Sequence, residues 1–330
     1  MADAKTDEAH MASAVVLAGS VHGTTAPNPW VGCVVVTADG ARFEGATAPP
    51  GGAHAEVAAL RQAGDRARGA TLFTTLEPCA HVGRTPPCTD AVIAAGVARV
   101  VVGVLDPDEH VAGRGVARLR EAGVTVDVGI GAAAVDEQLA PYLKHRRTGR
   151  PWVVLKLAAT MDGRTAAPDG SSQWITGDDA REDAHRLRAR SDAVLVGAGT
   201  VRADDPALTV RLDPPPARQP LRVVLGAVPD GAKVRPAVEL SGDLGTVLDE
   251  LGRRGVLQVL VEGGAAVAHD FHAQGLVDRY VLYLAPALFG GDDGRPLFAG
   301  PGASTMADLW RGTLVSVAQL GADLRLELAA

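Results

Sequence analysis

His54-Ala55-Glu56 begins a run of helical period, and Pro78-Cys79 follows a β-branched stretch ending at Leu76; eight residues, Ala80 to Pro87, then separate Cys79 from Cys88. Imidazole and thiolate are ligands that zinc prefers. Three protein ligands leave a fourth position open for water, which is the catalytic rather than the structural arrangement. One histidine and two cysteines meet that count. A metal so held lowers the pKa of its water toward neutrality, and a carboxylate that is not a ligand, here Glu56, carries the proton of a hydrolysis. Taken singly, each thiol reads as an ordinary buried cysteine and His54 as a core histidine. The joint pattern at strand and helix ends is what points to chemistry. If both cysteines share one metal, the loop between them must bulge and return, lining the site with His81, Gly83 and Arg84, a composition suited to an anionic ligand. Upstream, in Thr25-Ala-Pro-Asn28-Pro-Trp-Val-Gly32, two prolines fix the backbone so that the Asn28 amide can offer donor and acceptor together to a ring edge. Cys33 lies in an apolar run and reads as a small core residue.

These side chains need elements to hold them. An amphipathic helix is predicted over Asp7 to Ala18. Strands are predicted at Val31 to Val36, Thr71 to Thr75, Val100 to Val104 and Val124 to Val128, with helices at His54 to Ala63, Thr89 to Ala95, Gly115 to Ala122 and Ala132 to Arg147. Thr148-Gly149-Arg150-Pro151 then carries helix stop signals, so the domains are placed at 1–147 and 148–330. The alternation restarts with strands Trp152 to Lys156, Ala193 to Val196, Leu221 to Leu225, Val256 to Val261 and Arg279 to Ala285, and a terminal strand pair between Leu314 and Leu328. Helices are predicted at Asp178 to Arg190, Leu244 to Arg253 and Ala265 to Ala273. The fold class is α/β in both halves. Glu262-Gly263-Gly264 after one strand and Gly197-Ala-Gly199-Thr200 after another can each present bare amides to a phosphate. Gly129-Ile-Gly131-Ala-Ala-Ala134 mimics a dinucleotide fingerprint but lacks the acidic residue about 20 positions on, and is rejected.

The chain has 330 residues, 47% of them apolar. That length predicts two domains and that composition excludes disorder and fibre. Lys and Arg number 32 against 39 Asp and Glu, a net charge of −7, which disfavours nucleic acid as a partner and favours a small substrate. Three cysteines are too few for a disulfide framework, so a reducing, cytoplasmic setting is expected. The acidic N-terminus does not read as a signal peptide, and no apolar run is long enough to span a membrane.

The motifs in combination resemble the bifunctional riboflavin-biosynthesis family, in which a diaminohydroxyphosphoribosylaminopyrimidine deaminase is fused to a 5-amino-6-(5-phosphoribosylamino)uracil reductase. The H-x-E and P-C elements match zinc deaminases in general. The longer cysteine spacing and Leu76-Glu-Pro-Cys79-Ala-His81-Val-Gly83-Arg84-Thr-Pro-Pro-Cys88 match the family's variant. Lys156-Leu-Ala-Ala-Thr-Met-Asp162-Gly-Arg164, Ser172-Gln-Trp174-Ile-Thr, Ala203-Asp204-Asp205-Pro206-Ala-Leu208-Thr-Val-Arg211 and Val261-Glu262-Gly263-Gly264 match the reductase half. The resemblance implies a cytidine-deaminase-like α/β/α N-terminal domain and a dihydrofolate-reductase-like C-terminal domain. It implies zinc ligands His54, Cys79 and Cys88, with Glu56 as proton shuttle. It further implies Ser172, Arg188, Leu208, Arg211 and Glu262 near the second substrate. NADPH would be met by Ala159, Trp174, Thr200, Asp204 and the segment Gly264, Ala265, Ala266, Val267, Ala268, His269 and Asp270. A homo-oligomer, a dimer through the reductase domains, is implied as well. From the residues alone, Arg188 and Arg211 can clamp a phosphate as bidentate donors. Two rival readings share part of the pattern: a nucleic-acid base deaminase with an accessory nucleotide-binding domain, which the net charge disfavours, and a nucleotide-binding module whose zinc is structural.

Overall fold

Two separate sheets organise the chain. The computed structural model describes residues 2–83, 85–109 and 111–330, and these divide into a first unit, Met1–Arg150, and a second, Pro151–Ala330.

In the first unit the elements are α1 (Ala2–Ser20), β1 (Gly32–Val36), β2 (Arg42–Ala46), α2 (Ala55–Ala63), β3 (Thr71–Leu76), α3 (Cys88–Ala94), β4 (Arg99–Val104), α4 (Arg114–Glu121), β5 (Thr125–Val128) and α5 (Ala132–Thr148). The strand order is β2-β1-β3-β4-β5. β1 is antiparallel to β2 and β3, whereas β3, β4 and β5 run parallel. Val100, Val101 and Val102 of β4 are all fully buried, because helices cover both faces of a parallel sheet and demand continuous apolar runs. The buried face of α1 is Asp7, Met11, Ala14 and Ala18, spaced at three and four as an amphipathic helix requires. β2 escaped the sequence reading because Arg-Phe-Glu-Gly-Ala carries no β-branched run and the strand is a half-exposed edge. Its Gly45 is nonetheless decisive for the site: a Cβ there would lie 2.2 Å from the carbonyl oxygen of Ala55, so only glycine lets the first turn of α2 rest on the sheet.

The second unit contains β6 (Trp152–Thr160), β7 (Arg164–Ala166), α6 (Asp178–Ala189), β8 (Ala193–Gly197), α7 (Ala198–Asp204), β9 (Leu221–Leu225), β10 (Val238–Leu240), α8 (Leu244–Arg253), β11 (Gln258–Val261), α9 (Ala265–Ala273), β12 (Arg279–Ala285), β13 (Arg295–Pro296), β14 (Thr313–Leu320) and β15 (Asp323–Ala329). Eight strands form one sheet in the order β10-β9-β8-β11-β6-β12-β15-β14, and β13 pairs with β7 apart from it. The six strands from β10 to β12 are parallel, and β15 and β14 close the sheet antiparallel. Successive strand residues face opposite sides. Val153 and Leu155 therefore pack with Leu248, Leu251 and Phe271 on one face, and Val154 with Val194, Leu260 and Tyr283 on the other. Gly197 to Thr200 forms a glycine-rich corner between β8 and the short helix α7, with Gly197 as the residue before its first turn.

Candidate active sites

In the first unit three chain segments deliver one donor each. His54 is the residue before α2, Cys79 lies three residues past β3, and Cys88 is the first residue of α3. The His54 Nδ1 lies 3.1 Å from Cys88 Sγ and 3.7 Å from Cys79 Sγ, and the three donor atoms lie within 4.8 Å of one another. Ligands at about 2.0 Å (N) and 2.3 Å (S) from a tetrahedral zinc are separated by roughly 3.5–3.8 Å, so this soft donor set fits that ion. The intervening loop does bulge and return: the amides of Cys88 and Thr89 donate to the Cys79 sulfur and carbonyl. Hydrogen bonding from the Cys88 thiol, and from His54, pulls the Cys79 thiol down to about 4, so it carries the negative charge. The hydrogen bond to the Cys79 sulfur, and then burial, push the Cys88 thiol up in the metal-free site. Glu56, 4% exposed, stands in the first turn of α2 beside them; burial, and then the Cys79 thiolate, push its carboxyl up to about 7.

A cavity of about 300 Å³ opens over these groups and is lined by His54, Glu56, Cys79, Asn28, His81 and Gly83, among others. Arg84 lies outside the described residues. Sequence reasoning missed further lining residues, Glu77, Asp106, Asp108, Tyr142 and Arg146. Glu77 is a buried scaffold group: its carboxylate accepts the amides of Gly113 at 2.9 Å and Val116 at 3.1 Å, capping the start of α4. There a Cβ on Gly115 would stand 2.0 Å from the carbonyl oxygen of Pro78. Asp106 and Asp108 follow β4, at the carboxyl end of a parallel strand.

In the second unit Arg188 of α6 and Glu262, just past β11, form a two-pronged pair. Lys156 of β6 approaches the same carboxylate at 3.7 Å. Burial pushes the Glu262 carboxyl up, but Lys156 and Arg188 outweigh it, and the group titrates below the ordinary glutamate value. The remaining Arg188 nitrogen donates to the Thr209 carbonyl, so three of the five guanidinium N–H groups are used within the protein. Arg211 is exposed, with its amide on His185. Leu208 is buried in the core at a left-handed φ of 51°, an uncommon conformation for a branched side chain. Ser172 is half-buried and Asp204 exposed.

Of the expected cofactor positions, Gly264 opens α9, and a Cβ on it would come 3.5 Å from the Thr200 hydroxyl. The two glycine-rich strand-to-helix corners are thus adjacent. Ala265, Ala266, Val267, His269 and Asp270 range from half-buried to exposed along α9. Ala159 and Ala268 are fully buried, which leaves their side chains in the core rather than toward a cofactor. Trp174 is 68% exposed, with the Arg181 guanidinium 4.7 Å from its ring centre.

The cytidine and deoxycytidylate deaminase zinc-binding region matches residues 4–104, and the RibD C-terminal domain matches residues 151–326. The riboflavin biosynthesis protein RibD of Escherichia coli (strain K12) is 41% identical over 363 aligned positions, covering 98% of this chain and 99% of that protein. The chain belongs to the RibD family. RibD of Mycobacterium tuberculosis (strain ATCC 25618 / H37Rv) is 46% identical over 98% of this chain and 97% of its own length. Acinetobacter baumannii RibD has the same fold, with a TM-score of 0.92 at 40% identity over 99% of both chains. A Thermotoga maritima structure described as a diaminohydroxyphosphoribosylaminopyrimidine deaminase/5-amino-6-(5-phosphoribosylamino)uracil reductase scores 0.87 at 34% identity over 99% of both chains.

As a RibD-family protein this chain is a bifunctional enzyme of riboflavin biosynthesis, with a cytidine-deaminase-like domain and a reductase domain. No described helix is long and apolar enough to cross a membrane. The signals for the missed residues were present: Lys156 stands first in a quoted RibD-like motif, and Asp106-Pro-Asp108 follows a predicted parallel strand, where ligands of α/β sheets bind.

Proposed function

We propose that the first unit hydrolytically deaminates 2,5-diamino-6-(5-phosphoribosylamino)pyrimidin-4(3H)-one, and that the second reduces the resulting 5-amino-6-(5-phosphoribosylamino)uracil to its ribitylamino product with NADPH. The observation that carries the reading is the convergence of His54, Cys79 and Cys88 within 4.8 Å beside buried Glu56 at one cavity. Zinc held by those three residues supplies the Lewis acidity that makes water a nucleophile near neutral pH. Glu56 takes one proton from the attacking water and delivers it to the ring nitrogen, then takes the second from the added hydroxyl and delivers it to the departing 2-amino group, so that water is added, the carbonyl forms and ammonia leaves. Asn28 offers donor and acceptor to the pyrimidine edge. The carboxylates of Asp106 and Asp108 accept from its amino groups, His81 of the cavity wall meets the phosphoribosyl side, and Arg84, which lies outside the described residues, is assigned to the phosphate by its charge alone.

In the reductase unit the nicotinamide brings the hydride, and the chain's task is positioning. The adjacency of Gly264 and Thr200 supports a phosphate cradle at the start of α9, with Trp174 and Asp204 as further cofactor contacts. Glu262, braced by Arg188, holds Lys156 toward the sugar, and Ser172 and Arg211 bind the substrate phosphate. Self-association through this unit is proposed on Leu314, Val315 and Val317, exposed along the edge strand β14; the setting is taken to be cytoplasmic. The test is a coupled assay on the purified chain with the authentic diaminopyrimidine, reading ammonia and the loss of nicotinamide absorbance with NADPH and with NADH. Ammonia release followed by NADPH-preferring oxidation is expected. Absence of both from a zinc-loaded, folded protein would overturn the reading.

A further inference from the structure

Tyr142 and Arg146 stand one helical turn apart on α5, the spacing that puts two side chains on one face. Both reach the cavity of the first unit and line it. The Tyr142 hydroxyl donates to the Asp106 carboxylate, lying 3.0 Å from Oδ2 and 3.2 Å from Oδ1. Arg146 pairs with Asp108 at 3.4 Å through Nε, and its Nη2 donates to the Pro27 carbonyl at 3.5 Å. Its guanidinium also lies 5.0 Å from the centre of the Tyr142 ring. The Asp108 amide closes the set by donating to Asp106 Oδ1 at 2.9 Å. Two residues of one helix thereby tie together the loop after β4 and the loop that carries Asn28.

A carboxylate in a cavity wall has two rotatable bonds and turns toward whichever donor is nearest. One that must accept from a substrate amino group gains from being held in a single orientation beforehand. We propose that Tyr142 and Arg146 are positioning residues of the deamination site: Tyr142 orients Asp106, and Arg146 holds Asp108 and the Pro27–Asn28 wall, so that these groups meet the pyrimidine's amino donors in register. The inference rests on the deaminase reading above. Neither side chain acts on the reacting carbon, so their loss falls on substrate binding and not on the chemical step.

The test uses the full chain loaded with zinc, as Tyr142→Phe, which removes one hydroxyl and keeps the ring, and as Arg146→Met. Each is expected to raise KM for the diaminopyrimidine about tenfold, in keeping with a hydrogen bond or pair to a charged group, with kcat for ammonia release within about twofold of wild type. Zinc content and NADPH oxidation of deaminated substrate should not change. Arg146→Lys should recover part of the lost binding, because the ammonium still faces Asp108. Unchanged KM in both variants overturns the proposal, as does a fall in kcat larger than the rise in KM. If Tyr142→Phe does not fold, Arg146→Met, whose side chain is 28% exposed, decides alone. Wild-type protein that releases no ammonia overturns the deaminase reading and this inference together. Normal wild-type turnover with both variants at the wild-type KM overturns this inference only.

Discussion

Arg188 grips Glu262 with two parallel hydrogen bonds, Nε to Oε1 at 2.5 Å and Nη2 to Oε2 at 3.0 Å. The pair joins helix α6 to the end of the central strand β11, and the Glu262 side chain is only 9% exposed. A buried carboxylate and guanidinium held this way stabilise the fold only as a pair, because either one alone is a desolvated charge.

Glu262→Gln is therefore expected to destabilise the reductase unit by about 3 kcal/mol at neutral pH, since Arg188 loses its counter-charge. The folded-state pKa of Glu262 lies below its ordinary value. Its contribution is thus complete above about pH 4.3, the unfolded value, and is lost as pH falls through the folded pKa. Thermal melts from pH 7 down to pH 3 should show the gap between wild type and variant narrowing in that acid window. A gap that stays constant with pH would remove Glu262 from the linkage.

Glu56→Gln keeps the shape of the side chain but cannot carry a proton. Ammonia release should fall by at least about a hundredfold, the usual lower bound for a general acid-base group. Bound zinc and NADPH oxidation of deaminated substrate should stay at wild-type levels. Ammonia release near the wild-type rate would exclude Glu56 as the shuttle.

Cys79→Ser or Cys88→Ser removes a thiolate from a three-donor set. Metal analysis should find zinc falling from about one per chain toward none. Treatment of wild type with a chelator should likewise abolish deamination and spare the reductase, because the His54, Cys79 and Cys88 cluster lies wholly within the first unit. A reductase that fails on chelation would place a metal requirement in the second unit.

Gly115→Ala tests the packing beneath the metal site. The added Cβ would meet the Pro78 carbonyl oxygen at 2.0 Å, directly before Cys79. Overpacking of this kind costs about 1–3 kcal/mol. Denaturant unfolding should show the loss, and zinc affinity should fall with it. Unchanged zinc affinity would mean that the Pro78–Cys79 backbone relaxes without moving the sulfur.

Residue chemistry and local periodicity made much legible in the sequence. The helices Leu244–Arg253 and Ala265–Ala273 and the strands Leu221–Leu225 and Arg279–Ala285 have the bounds that their apolar patterns predict. His54, Cys79 and Cys88 were marked as a set by ligand type and by their places at element ends, and they do converge. Both signals are local, written within one turn of helix or one strand. What only the tertiary structure decided depends on the approach of segments far apart in the chain. Tyr142 meets Asp106 across 36 positions, and Arg188 meets Glu262 across 74. Neither pairing is written in composition or period, because a tyrosine on a helix or an arginine near a helix end has many partners within reach until packing selects one. The same holds for Gly45 and Gly115, whose lack of a side chain matters only once another segment's carbonyl rests against them. Sequence determined which groups can do chemistry; the folded backbone decided which of them stand together, because distance between segments is set by sheet order and helix packing.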